Sequence, residues 1–137
     1  MFEAVHSERS SASPVAVWAL WADPARWPEW NEQLEAAELR GPLKPGTEAV
    51  IKYKRGGRMV LKLVAVEPER HLAYEARLPL ARFGHEHRLE PAGSGSEITH
   101  RAYLKGPLSP LFSVLFGRKR VRESVRKFAA RERELAE

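Results

Sequence analysis

The sequence predicts an α+β fold: a curved seven-stranded antiparallel sheet around one long C-terminal helix, with two short helices between strands 1 and 2. Three observations carry this. All four tryptophans, Trp18, Trp21, Trp27 and Trp30, fall in residues 13–31, a stretch with two proline-led helix starts. Strand-like runs divided by glycine and proline turns fill residues 34–104. Apolar residues at helical spacing then mark most of the remaining chain.

Residues 2–9 alternate, with Phe2, Ala4 and His6 on one side and Glu3 and Val5 on the other, and predict the first strand. Ser13 suits a helix N-cap, and Pro14 suits the first helical position, where a missing N–H costs nothing. The resulting helix, 14–22, is apolar nearly all round and is expected to be buried on more than one side. Asp23 and Pro24 repeat the start, and Pro28 breaks or tightens the second helix before Trp30. Strands are predicted at 34–40, 48–54, 59–67, 71–78, 81–90 and 97–104. Short turns such as Gly56-Gly57 and Gly93-Ser94 make consecutive strands antiparallel neighbours. Residues 111–134 read as one long helix. Its stripe is Leu111, Val114, Leu115, Val121, Val125 and Phe128, with Arg and Glu opposite from Arg118 onwards.

A length of 137 residues suits one domain, 1–137, that can bury a core without disulfides. The absence of cysteine excludes disulfides and thiol chemistry. No apolar run approaches the roughly 20 residues of a membrane span, and the N-terminal residues lack a secretory pattern, so a cytoplasmic location is expected. The net charge of +5 is concentrated at Arg118, Lys119, Arg120, Arg122, Arg126 and Lys127. With no aromatic residues interleaved there, a solvated helix face is expected and no specific nucleic-acid partner. Nucleotide and Gly-x-Ser-x-Gly hydrolase fingerprints are missing, and no cofactor is expected.

Several blocks together carry a family likeness. They are Ser13-Pro14 with Val17-Trp18, Asp23-Pro24, and Trp27-Pro28-Glu29-Trp30-Asn31. Leu43-Lys44-Pro45-Gly46-Thr47, Val66-Glu67-Pro68-Glu69-Arg70-His71-Leu72 and Lys105-Gly106-Pro107-Leu108 extend it over nearly the whole chain. The chain resembles the START-like, or SRPBCC, superfamily, and within it the polyketide cyclase/dehydrase-like branch. The resemblance implies a helix-grip fold with a deep ligand cavity. It does not imply one function, because members bind lipids, sterols, hormones, quinones and polyketides, and only some are enzymes.

The candidate site lies on the hairpin 81–104. A two-residue turn at Gly93-Ser94 would pair Leu89 with Ile98 and His87 with His100. Phe83, His85, His87 and His100 then share the inner face, while Glu86 and Arg101 pair on the outer one. The three histidines are the catalytic candidates, as acid–base groups or as polar contacts to a ligand. Three imidazoles could also hold zinc, but no carboxylate accompanies them on that face, so no metal is assigned. Tyr53 and Tyr74 present hydroxyls from inner faces, and Trp30 is the tryptophan best placed to line the cavity. Ile51, Leu61, Leu63, Leu111 and Leu115 complete the expected apolar lining. Phe112 and Phe116 are expected to close its mouth, to pack in a dimer, or to touch a membrane surface.

The expected function is binding of a hydrophobic small molecule, lipid-like or polycyclic aromatic, between sheet and helix, in a monomer or homodimer. One rival is an aromatase/cyclase or dehydratase using a cavity histidine. Another is an interaction module acting through the basic C-terminal helix.

Overall fold

The computed structural model describes residues 2–137. Strand β1 (Phe2–Ser10) leads into helix α1 (Pro14–Trp21), a 3-10 turn (Pro24–Arg26) and a single-turn helix α2 (Trp27–Trp30). Then follow β2 (Leu34–Leu39), β3 (Glu48–Tyr53), β4 (Arg58–Glu67), β5 (His71–Leu78), β6 (Ala81–Ala92) and β7 (Gly95–Lys105). The chain ends in α3 (Ser109–Phe116) and α4 (Arg118–Ala136). The strands form one antiparallel sheet in the order β1-β7-β6-β5-β4-β3-β2. Sequential hairpins build β2 to β7, and β1 closes on β7. Register irregularities at Leu34/Ala36 and Leu63/Ala65 mark where the strands bend.

The capping logic holds at both helix starts. Ser13 Oγ accepts from the Ala16 N–H, and Asp23 Oδ1 accepts from the Ala25 N–H. Helix α1 is less buried than its composition suggests. Val17, Leu20 and Trp21 are buried, but Val15 is exposed, because α1 has the sheet on one side and solvent on the other. The Gly93-Ser94 turn sets the expected register, pairing Leu89 with Ile98, His87 with His100 and Glu86 with Arg101. On the outer face the Arg101 guanidinium bridges Glu3 and Glu86.

The predicted single C-terminal helix is two. Gly117, at φ 80°, breaks it, and its N–H donates to the Ser113 and Val114 carbonyls. The apolar stripe therefore does not run through. Helix α3 turns Ser109 and Ser113 inward and leaves Leu111, Val114 and Leu115 exposed. Helix α4 keeps the phase of Val121, Val125 and Phe128, and places Glu132 on that same buried line.

The core has two parts. The larger joins Val17, Leu20, Trp21, Trp27 and Trp30 to Leu34, Ala49, Ile51, Leu61, Leu63, Leu72 and Ile98 of the sheet. The smaller joins Phe2, Ala4, Ala102 and Leu104 to Val125 of α4. Between them, where α4 crosses β6 and β7, lies a polar layer.

Candidate functional site

Strands β6 and β7 present His85, His87 and His100 on the face that α4 covers, and all three are buried. Helix α4 contributes Glu132, which has no exposed surface. Helix α1 contributes Trp21, and β5 contributes Tyr74. Glu132 Oε1 accepts from Trp21 Nε1 at 2.8 Å and from His100 Nε2 at 2.7 Å. His100 Nδ1 and His85 Nε2 are 3.0 Å apart. Tyr74 Oη and His87 Nε2 are 3.1 Å apart.

The tautomers follow from what each group can do. A carboxylate only accepts, so the Trp21 and His100 nitrogens facing it carry the hydrogens. In a neutral His100 ring Nδ1 is then the acceptor, and His85 Nε2 donates to it. His85 Nδ1 is left with a lone pair and no hydrogen bond among the described residues. The Tyr74 hydroxyl can donate or accept, and the carboxylate oxygen Glu132 Oε2 facing His87 Nδ1 favours the tautomer with the hydrogen on Nδ1, which makes Tyr74 the donor to Nε2. At 3.7 Å His87 Nδ1 and Glu132 Oε2 attract but do not bond, and both buried atoms lack a partner.

Burial is the main cause that pushes the His85 and His87 imidazoles well below their ordinary range, with the neighbouring His100 adding to it. Burial, reinforced by Glu132, raises the Tyr74 phenol, which keeps its proton. Aromatic rings pack the layer from every side. Trp21 and Trp30 meet His87 edge-on at 5.1 and 5.3 Å, and Phe128 stacks on His85 at 5.8 Å.

Donor atoms of His85, His87 and His100 lie within 4.8 Å of one another, as a metal site would require. The ring planes qualify this. His85 and His87 stack at 4.6 Å with planes 17° apart, so their lone pairs lie in separate, nearly parallel planes, a poor arrangement for meeting at one ion. Coordination by all three would require a ring to turn.

The polar layer reaches solvent through His85. This residue lines an open cleft of about 310 Å³ between the sheet and α3–α4. Its walls are Tyr53, Met59, Phe83, Ala102, Leu115, Phe116, Val121, Val125 and Phe128. Gln33, Arg55, Arg120 and Ser124 supply its polar parts. Phe83 and Phe116 meet edge-on at 5.8 Å across it. Tyr53, whose phenol burial raises, donates to Met59 Sδ at 3.7 Å.

Of the residues expected to line a cavity, the cleft brings together Tyr53, Phe83, His85 and Leu115. Tyr74, His87 and His100 lie beneath, joined to it through His85 or packed behind it. Ile51, Leu61 and Leu63 are packed in the main core. Trp30 is buried against His87 and Phe128, and borders a separate shallow depression with Glu29 and Arg131. Leu111 is 52% exposed and off the cleft, because Gly117 turns α3 out of the phase of α4.

Sequence reading missed Glu132, the carboxylate it failed to find beside the histidines. The signal was present: 121, 125, 128 and 132 recur at helical spacing, so the acidic residue stands on an apolar line. Arg55 and Arg120 gave no such signal, because a hairpin turn and an outer helix face become neighbours only in the fold.

A seven-stranded antiparallel sheet gripping a C-terminal helix, with a cleft between them, defines the helix-grip class. The chain belongs to the family described as polyketide cyclase / dehydrase and lipid transport, which it matches over residues 1–137. No curated protein matches it in sequence. Similar solved structures include protein MLL2253 from Mesorhizobium loti, at 20% identity and a TM-score of 0.76, covering 98% of this chain and 96% of that one. TTHA0849 from Thermus thermophilus superposes with a TM-score of 0.77 at 14% identity, covering 98% and 97%. A Thermobifida fusca protein is 22% identical with a TM-score of 0.69, covering 98% and 95%. At these identities the likeness is one of fold.

Proposed function

We propose that the chain is a ligand-binding domain whose cleft takes a hydrophobic small molecule, lipid-like or polycyclic aromatic. The observation that carries this is the cleft lining: aromatic and aliphatic side chains make most of its wall, and a few polar groups, the His85 ring with Gln33, Arg55, Arg120 and Ser124, are placed among them. Small-molecule sites have that composition, and about 310 Å³ is at the lower end of their size range. A family that includes lipid transport supports the same reading. The flat aromatic surfaces of Phe83, Phe116 and Phe128 favour a ligand with a planar or extended apolar body.

Native mass spectrometry of the purified protein, with uptake of a fluorescent aromatic or lipid probe, tests this. A bound apolar mass or saturable uptake is expected, and Phe83→Asp should abolish it by placing a charge in the apolar wall. A protein that is empty and takes up no probe would overturn the proposal.

A further inference from the structure

We propose that His85, His100 and Glu132 form a proton relay, through which the cleft ionises a ligand hydroxyl and binds the ligand as its anion. This rests on the cleft being the binding site. The ligand class is an apolar molecule bearing an acidic phenolic or enolic hydroxyl, such as a hydroxyl conjugated to a carbonyl.

The relay needs three things, and each is present. His85 Nδ1 offers an unused lone pair in a residue that lines the cleft. His85 Nε2 hands over to His100 Nδ1 at 3.0 Å, and His100 Nε2 to Glu132 Oε1 at 2.7 Å. Glu132, wholly buried, is the proton acceptor at the far end.

The transfer balances. The ligand O–H bond breaks and its proton bonds to His85 Nδ1. The His85 Nε2 proton moves to His100 Nδ1, and the His100 Nε2 proton moves to Glu132 Oε1. Both imidazoles end neutral with their tautomers exchanged, Glu132 ends as the neutral acid, and the ligand carries the negative charge. No imidazolium accumulates, which suits rings whose charged form burial disfavours.

Electrostatics gives the transfer its direction. A wholly buried carboxylate is costly, and among the described residues Glu132 has two hydrogen-bond donors, both on one oxygen. Its second oxygen is unpartnered. Moving the charge to the cleft brings it to an open site lined also by Arg55 and Arg120. The groups facing the relay are Tyr74 from β5, His87 from β6 and Trp21 from α1. None of these bonds His85 Nδ1.

The test uses para-nitrophenol, whose anion absorbs in the visible, and para-nitroanisole, which has the same body and no hydroxyl. Both are bound at a pH below the free phenol's ionisation, and calorimetry in two buffers counts protons released. The wild type should show the nitrophenolate band and release no proton to buffer, because Glu132 keeps it. Glu132→Gln and His85→Gln should each reduce the bound-anion fraction about tenfold, while nitroanisole binds the wild type and Glu132→Gln, whose changed residue does not line the cleft, within about twofold. A neutral bound phenol, a full proton released, or an unchanged band in Glu132→Gln would each overturn the relay while leaving the cleft reading standing. Failure of both probes to bind the wild type would overturn both readings. A stoichiometric divalent ion held by the histidines would also overturn the relay, since coordination would occupy the nitrogens it uses.

Discussion

At the scale of single residues, the polar layer behaves as a pH-sensitive part of the core. His85 and His87 have folded-state pKa values below the unfolded value of 6.5. Their stabilisation is complete above 6.5 and is lost as pH falls, because the unfolded chain then binds protons the folded one refuses. The slope should be about 1.4 kcal/mol per pH unit for each histidine. Thermal unfolding followed downward from neutral pH should show Tm falling, and His87→Phe should flatten the profile; an identical profile in the variant would count against this assignment. Glu132 matters for a different reason. Glu132→Leu removes the acceptor of two buried donors, and should cost about 3 kcal/mol by chemical denaturation. Glu132→Gln, which keeps an oxygen, should cost less.

At the scale of elements, β6 is fixed by close approach as much as by hydrogen bonds. Gly84 is buried opposite Tyr103 of β7, and a Cβ there would stand 2.0 Å from the Tyr103 ring. The ring passes over the glycine so that its hydroxyl reaches Glu75 on β5. Gly84→Ala must displace it, at a cost of about 2 kcal/mol. Chemical denaturation checks this, and Tyr103→Leu in the same background should recover part of the loss. Gly117 is the second backbone control point. Because it separates α3 from α4, α3 can present Phe116 to the cleft while α4 presents Val121 and Phe128.

At the scale of the molecule, function depends on space left between layers. Filling the cleft should exchange binding for stability. Val121→Trp is expected to raise Tm by a few degrees and to reduce probe uptake about tenfold, read by scanning calorimetry and fluorescence titration. The sequence by itself determined the strand register of the 81–104 hairpin, the two capped short helices and the inward face of the histidines. These follow from local turn chemistry and from side-chain alternation, both set by neighbours along the chain. Only the tertiary structure decided which of those inward residues meet solvent. Ile51, Leu61 and Leu63 have the same alternation as Phe83, yet they are buried in the main core together with side chains of α1 and α2, while Phe83 faces the gap beside α4. It likewise decided that Glu132 completes the histidine layer. Periodicity could place Glu132 on the buried line of its helix, but not against His100, 32 residues away, because that contact depends on how α4 crosses the sheet.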